Sequence, residues 1–167
     1  SCLANLASKP KNHSALQVTR SVAIVVEILD CVEEAHLYHA LLFLRGLSTS
    51  PIPRNILLKQ NTISRLWNLV KIKKMDIRHE VLHTLCNLSV DDDFRNHMAI
   101  CLTKLQADEI AILLQEDGYH SKLFGAILLG NGFTNVDFRE RILDLRTLDL
   151  LIHEFKNGCH YELGRCI

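Results

Sequence analysis

Leu85-Cys86-Asn87-Leu88-Ser89 closes one apolar helix of this 167-residue chain. Two other segments end in the same way: Leu44-Arg45-Gly46-Leu47-Ser48 and Leu3-Ala4-Asn5-Leu6-Ala7. The three tails lie 41 residues apart, so the chain is organised by a repeat. The same shift carries Val22, Val25, Val26 and Leu29 onto Ile63, Leu66, Trp67 and Val70. It also carries Ala40, Leu41, Leu44 and Leu47 onto Val81, Leu82, Leu85 and Leu88. Pro10 falls on Pro51, and Arg54-Asn55 falls on Arg95-Asn96. A further step of 44 puts Asn87 on Asn131 and Asp93-Phe94-Arg95 on Asp137-Phe138-Arg139.

Within each period the apolar spacing is helical. Leu41, Leu44 and Leu47 recur at i, i+3, i+6, and Ile63, Leu66, Trp67 and Val70 form a second stripe. Ile110, Leu113 and Leu114 are its expected counterpart in the following unit. The breaks are short. Pro51 and Pro53 stop one helix and can open the next at its first turn, where a missing N–H costs nothing. Asp91-Asp92-Asp93 stands where a helix N-terminus favours carboxylates. No segment reads as a strand. The expectation is an all-α chain, a right-handed α-solenoid of about four repeats with a period of about 41 residues. It reads as one solenoid over 1–167, with tails near 5–7, 46–48, 87–89 and 131–133 and a start in mid-repeat, as in a stretch of a longer array.

Composition narrows the function. Lys plus Arg is 19 and Asp plus Glu is 19, so the formal charge is zero, which argues against a nucleic-acid or anionic-membrane partner. No apolar run reaches the roughly 18–20 residues of a membrane span; Val22-Ala23-Ile24-Val25-Val26 stops at Glu27. The N-terminus lacks a basic leader. Six cysteines are scattered without Cys-x-x-Cys pairs, and most have apolar neighbours. They read as reduced, mostly buried thiols of a cytoplasmic or nuclear protein.

The tails resemble those of armadillo repeats, over nearly the whole chain; HEAT repeats share the period. Asn61 stands about where one unit would carry the glycine usual between the first two helices of such a repeat. The resemblance implies a binding scaffold without enzymatic activity or cofactor, whose third helices line a concave groove for a protein or extended peptide. It implies that the tail asparagine points into that groove, where an amide can both donate to and accept from a peptide backbone. Carried over position by position, Asn5, Asn87 and Asn131 form a ladder interrupted by Gly46. The competing reading is that these amides satisfy neighbouring backbone. His79, His83 and Asn87 are spaced i, i+4, i+8 on one helix face, with Arg45 expected close by from the preceding unit. Importin-type members pair the asparagine with a Trp four residues earlier. Those positions here are Ser1, Leu42, His83 and Ile127, so a nuclear-localisation peptide is not implied. Trp67 reads as core.

Three other readings were weighed. His79-Glu80-Val81-Leu82-His83 fits the His-Glu-x-x-His motif of zinc hydrolases. With nine His and nine Glu, chance supplies such a match at roughly two to three per cent, and Cys86 and Ser89 stand where the extended motif needs Gly and His. No metal site is expected. The segment from Leu44 to Pro53 looks like one in the small-GTPase dissociation stimulators, which would imply a Ras- or Rho-type GTPase partner and a GTPase-regulator role. Armadillo-like exchange factors for Hsp70 are the third alternative. Lys71-Ile72-Lys73-Lys74 reads as a solvated helix end, and Cys159-His160 with Cys166 is too sparse for a metal.

Overall fold

The computed structural model describes residues 2–17, 20–31, 33–59, 61–101, 103–115 and 119–144, with Asp149. Every element in these residues is a helix, and no strand occurs among them. The chain divides into two compact units, residues 1–88 and 89–167.

The first unit opens with α1 (Cys2–Ala7), then a 3-10 turn (Pro10–Asn12) leading into α2 (His13–Gln17). Next come α3 (Ser21–Ile28), α4 (Glu34–Ser48), α5 (Pro51–Lys59), α6 (Thr62–Leu69) and α7 (Met75–Leu88). Helices that occupy one place in the repeat are neighbours. α4 packs on both α1 and α7, and α2 packs on α5. The stripes predicted from spacing are the core: Leu41, Leu44 and Leu47 of α4 and Val81, Leu82 and Leu85 of α7 have no exposed surface. Ile63, Leu66, Trp67 and Val70 are buried beside them, as are Val22, Val25, Val26 and Leu29. The second unit holds α8 (Asp92–Cys101), α9 (Lys104–Gln115), α10 (Tyr119–Gly132) and α11 (Val136–Asp144). There α9 packs on α10 and α8 on α11, and Ile110, Leu113 and Leu114 are buried.

The helix boundaries follow local chemistry. Pro51 is the first residue of α5. Asp91 Oδ1 accepts a bond from the Asp93 N–H at the start of α8, and Asn135 Oδ1 does the same for Phe138 at α11. Asn61 sits between α5 and α6 with φ 57°, in the left-handed region. Asn is the residue type after Gly that enters this region most readily, so it makes the same sharp corner that glycine would. The first helix of a repeat is therefore well formed. At nine residues α5 is longer than the eight of α6.

One cap recurs that the repeat alignment contains without explaining. Arg54 Nε donates to the Ser48 carbonyl at 2.8 Å. Arg95 Nη1 donates to the Ser89 carbonyl at 3.0 Å, and Arg139 Nη1 to the Phe133 carbonyl at 2.7 Å. His13 Nε2 lies 2.6 Å from the Ala7 carbonyl, and its Nδ1 lies 2.8 Å from Ser50 Oγ. In all four cases the donor follows the last tail residue by six positions. A side chain at the start of one repeat thus satisfies a carbonyl left open at the end of the previous long helix.

The cysteines divide. Cys86 is buried, and burial pushes its thiol well above its ordinary value, whereas Cys2 and Cys31 are exposed. None of the three forms a disulfide among the described residues. The expectation of mostly buried thiols fails at Cys2 and Cys31. At Cys2 an apolar neighbour in sequence lies about 100° away round α1 and does not share its face, and Cys31 stands beyond the end of α3. Cys159, His160 and Cys166 lie outside the described residues.

Candidate functional site: a groove over three long helices

Three aligned helices bring the expected residues together. Asn5 of α1, Arg45 and Gly46 of α4, and His83 and Asn87 of α7 line one cavity of about 450 Å³ in the first unit, with Leu42 beside them. Volumes of roughly 300–1,000 Å³ are typical of ligand-binding clefts. His79 lies one turn before His83, half-buried, and is not on the cavity wall. Asn131 belongs to the second unit, at the end of α10.

Two of the three tail asparagines bond to their own fold. Asn87 Nδ2 donates to Ser48 Oγ at 3.0 Å, and Asn131 Nδ2 donates to Ser89 Oγ at 2.8 Å. Each amide is tethered to the serine that ends the preceding tail. The competing reading of local satisfaction therefore holds for the NH2 group, although its partner is a hydroxyl and not backbone. Among the described residues, nothing donates to the Asn87 Oδ1 acceptor. The break in the ladder follows the same logic. The tail before Gly46 ends in Ala7, which has no hydroxyl to offer, and α1 approaches closely. A Cβ on Gly46 would lie 2.8 Å from the Ala7 carbonyl carbon and oxygen, so no asparagine fits there. The small residue lets α1 come close to α4, and Gly46 itself lies on the cavity wall.

Arg45 and Glu80 join α4 to α7. Arg45 Nη1 donates to Glu80 Oε1 at 2.9 Å, with the Glu80 side chain 13% exposed and that of Arg45 37%. The other carboxylate oxygen, Glu80 Oε2, is buried and has no hydrogen-bond partner among the described residues. Burial raises the Glu80 carboxyl above its ordinary range, and the Arg45 charge opposes that rise. Burial, and then the Arg45 charge, hold the His83 imidazole below its ordinary value. A neutral imidazole thus faces the cavity at pH 7. The repeat register brings Arg45 here, but nothing in the sequence marks Glu80 as its partner, since it stands 35 positions away inside the His-Glu-x-x-His pattern.

That motif forms no metal site in the described residues. No group of three or more His, Cys, Asp or Glu side chains converges there to hold an ion. Val81 and Leu82 are core, and Glu80 turns to Arg45. Lys74 of the basic run pairs with Glu34, as a solvated helix end does. Gly130-Asn131-Gly132 is the last turn of α10 and not a loop. No helix of the described residues is long and apolar enough to cross a membrane.

No family model matches the chain, and no curated protein does. Solved structures do. An engineered protein solved by the Northeast Structural Genomics Consortium superposes with TM-score 0.86 at 16% identity, over 98% of this chain and 68% of that one. A designed armadillo repeat protein in complex with the peptide (KR)4 gives 0.82 at 14%, over 98% and 69%. The fold is that of armadillo repeats. A computationally designed armadillo repeat protein for modular peptide recognition adds 0.83 at 13%, over 96% and 68%. The armadillo assignment accounts for the three-helix period and for the corner between first and second helices at Asn61. At these identities the likeness concerns the backbone; the side chains in the groove are this chain's own.

Proposed function

We propose that the chain is a non-enzymatic binding scaffold that takes an extended protein or peptide segment across α1, α4 and α7. The observation that carries this reading is the cavity shared by Asn5, Arg45, His83 and Asn87, contributed by three successive helices of one repeat position. Stacked repeats offer extended surfaces of this kind. In this reading the Asn87 Oδ1 accepts a backbone N–H of the segment, and the amide is held in place by Ser48. His79, one turn before His83, would extend the surface beyond the cavity. The designed neighbours whose descriptions mention peptides support the same class of partner.

A GTPase partner finds no support here. Leu44, Leu47 and Ser48 of the segment that suggested it are buried, and Pro51 opens α5, so packing and chain reversal account for those residues. The test is selection of phage-displayed octapeptides on the full chain, followed by titration of the winners against Asn87→Ala. Loss of one backbone-directed hydrogen bond predicts about five-fold weaker binding. Binders indifferent to Asn87→Ala would place the site elsewhere.

A further inference from the structure

The donors and acceptors around the cavity are unequally spent, and this bears on what the peptide carries. Ser8 Oγ donates to the Asn5 carbonyl, and Thr49 Oγ1 to the Gly46 carbonyl. Both hydroxyl protons are therefore committed. Arg45 carries five N–H groups on a planar fork and directs one of them at Glu80. Its guanidinium has no other bond among the described residues, and more than a third of the side chain is exposed. The Asn5 side-chain amide likewise makes none. Arg45 is the one formally charged residue of the cavity wall; no Asp, Glu or Lys of the described residues lines it. Glu80, the partner of Arg45, does not line the cavity. Gly46 lies on the same cavity wall as that guanidinium.

We propose that the groove selects an extended peptide bearing an acidic side chain, whose carboxylate seats over Gly46 against the unspent edge of the Arg45 guanidinium. This rests on the peptide-binding reading above and names its partner's chemistry. Arg45 then bridges two carboxylates, Glu80 from within and the ligand from outside. A planar guanidinium can do this, since its N–H groups point along two edges. The Asn5 amide is the second free donor, and Asn87 Oδ1 remains for the peptide backbone. A lysine or arginine side chain would find no carboxylate on the wall and would meet the Arg45 charge.

The test uses the full chain and three fluorescein-labelled octapeptides that alternate Ser with Glu, Ser with Gln, and Ser with Lys. Anisotropy titration is expected to show the Glu peptide binding about tenfold tighter than the Gln peptide, with the Lys peptide weakest. Arg45→Gln alone strands the half-buried Glu80 carboxylate and can unfold the unit. The double variant Arg45→Gln/Glu80→Gln keeps a neutral hydrogen-bonded pair. It should bind the Glu and Gln peptides alike, while Asn87→Ala weakens both by the same factor. Equal affinity for all three peptides, or tightest binding of the Lys peptide, with Asn87→Ala weakening each, would overturn the acidic selection and leave the groove standing. No binding of any of the three below about 1 mM, or binding indifferent to Asn87→Ala, would overturn both.

Discussion

At the scale of single residues, one ion pair sets the electrostatics of the groove, and its two titrating neighbours respond to pH in opposite directions. Glu80 is raised from its ordinary 4.5 by burial, with Arg45 opposing. The folded chain binds that proton more tightly than the unfolded chain, so the carboxylate costs stability above the raised pKa. The cost disappears as pH falls below 4.5. His83 is lowered from 6.5 by burial and then by Arg45, so the folded chain resists protonation. Its cost is absent above 6.5 and appears as pH falls through that value toward the lowered folded pKa. Urea unfolding of Glu80→Gln and His83→Gln across pH should separate the two. The stability of Glu80→Gln relative to the parent should decline with acidification just above pH 4.5, and that of His83→Gln should increase as pH drops below 6.5. Parallel trends in both variants would contradict this. None of this chemistry was legible in the sequence. Arg45 and Glu80 are 35 positions apart, and the spacing that brought His79 and His83 to one helix face says nothing about which side chain crosses to the next helix.

Individual elements were more legible, because each is fixed by a local pattern. The long helices α4 and α7 carry i, i+3, i+4 stripes whose members have almost no exposed surface, and Pro51 opens α5 where its missing N–H is harmless. The cap at the repeat junction was half visible. Shifting the chain by 41 aligns Arg54 with Arg95, yet the alignment cannot say which carbonyl the guanidinium reaches. It hides His13 altogether, because the residue type changes while the place and the bond persist. Arg95→Met keeps an unbranched stem and removes the bond to Ser89. It should cost about 1–3 kcal/mol, the range for stranding a buried backbone acceptor. Guanidinium chloride denaturation checks it, and a loss below about half a kcal/mol would reduce the cap to a coincidence of register. Gly46 belongs to this scale too. Sequence reasoning noted the missing asparagine but could not supply its cause, the backbone of Ala7 lying where a side chain would stand.

For the whole molecule, the armadillo period was legible from the three tails, whose asparagine and serine turn out to bond across successive repeats. In a stack of this kind each repeat is held mainly by its neighbours, so damage should spread locally. Leu85 is fully buried on α7, which packs on α4. Leu85→Ala should cost about 2–5 kcal/mol and should speed amide hydrogen exchange in α4 as well as α7. Exchange confined to α7, or a loss under about half a kcal/mol, would mean the two helices are not one cooperative layer. The central claim is that a peptide lies across α1, α4 and α7. Its most direct test is a nitrogen-15 spectrum of the full chain titrated with the Ser-Glu octapeptide. The account predicts that the side-chain amides of Asn5 and Asn87 and the Arg45 Nε–H shift together and saturate with one affinity. Shifts confined to the exposed faces of α3 and α6, with those three signals unmoved, would contradict it.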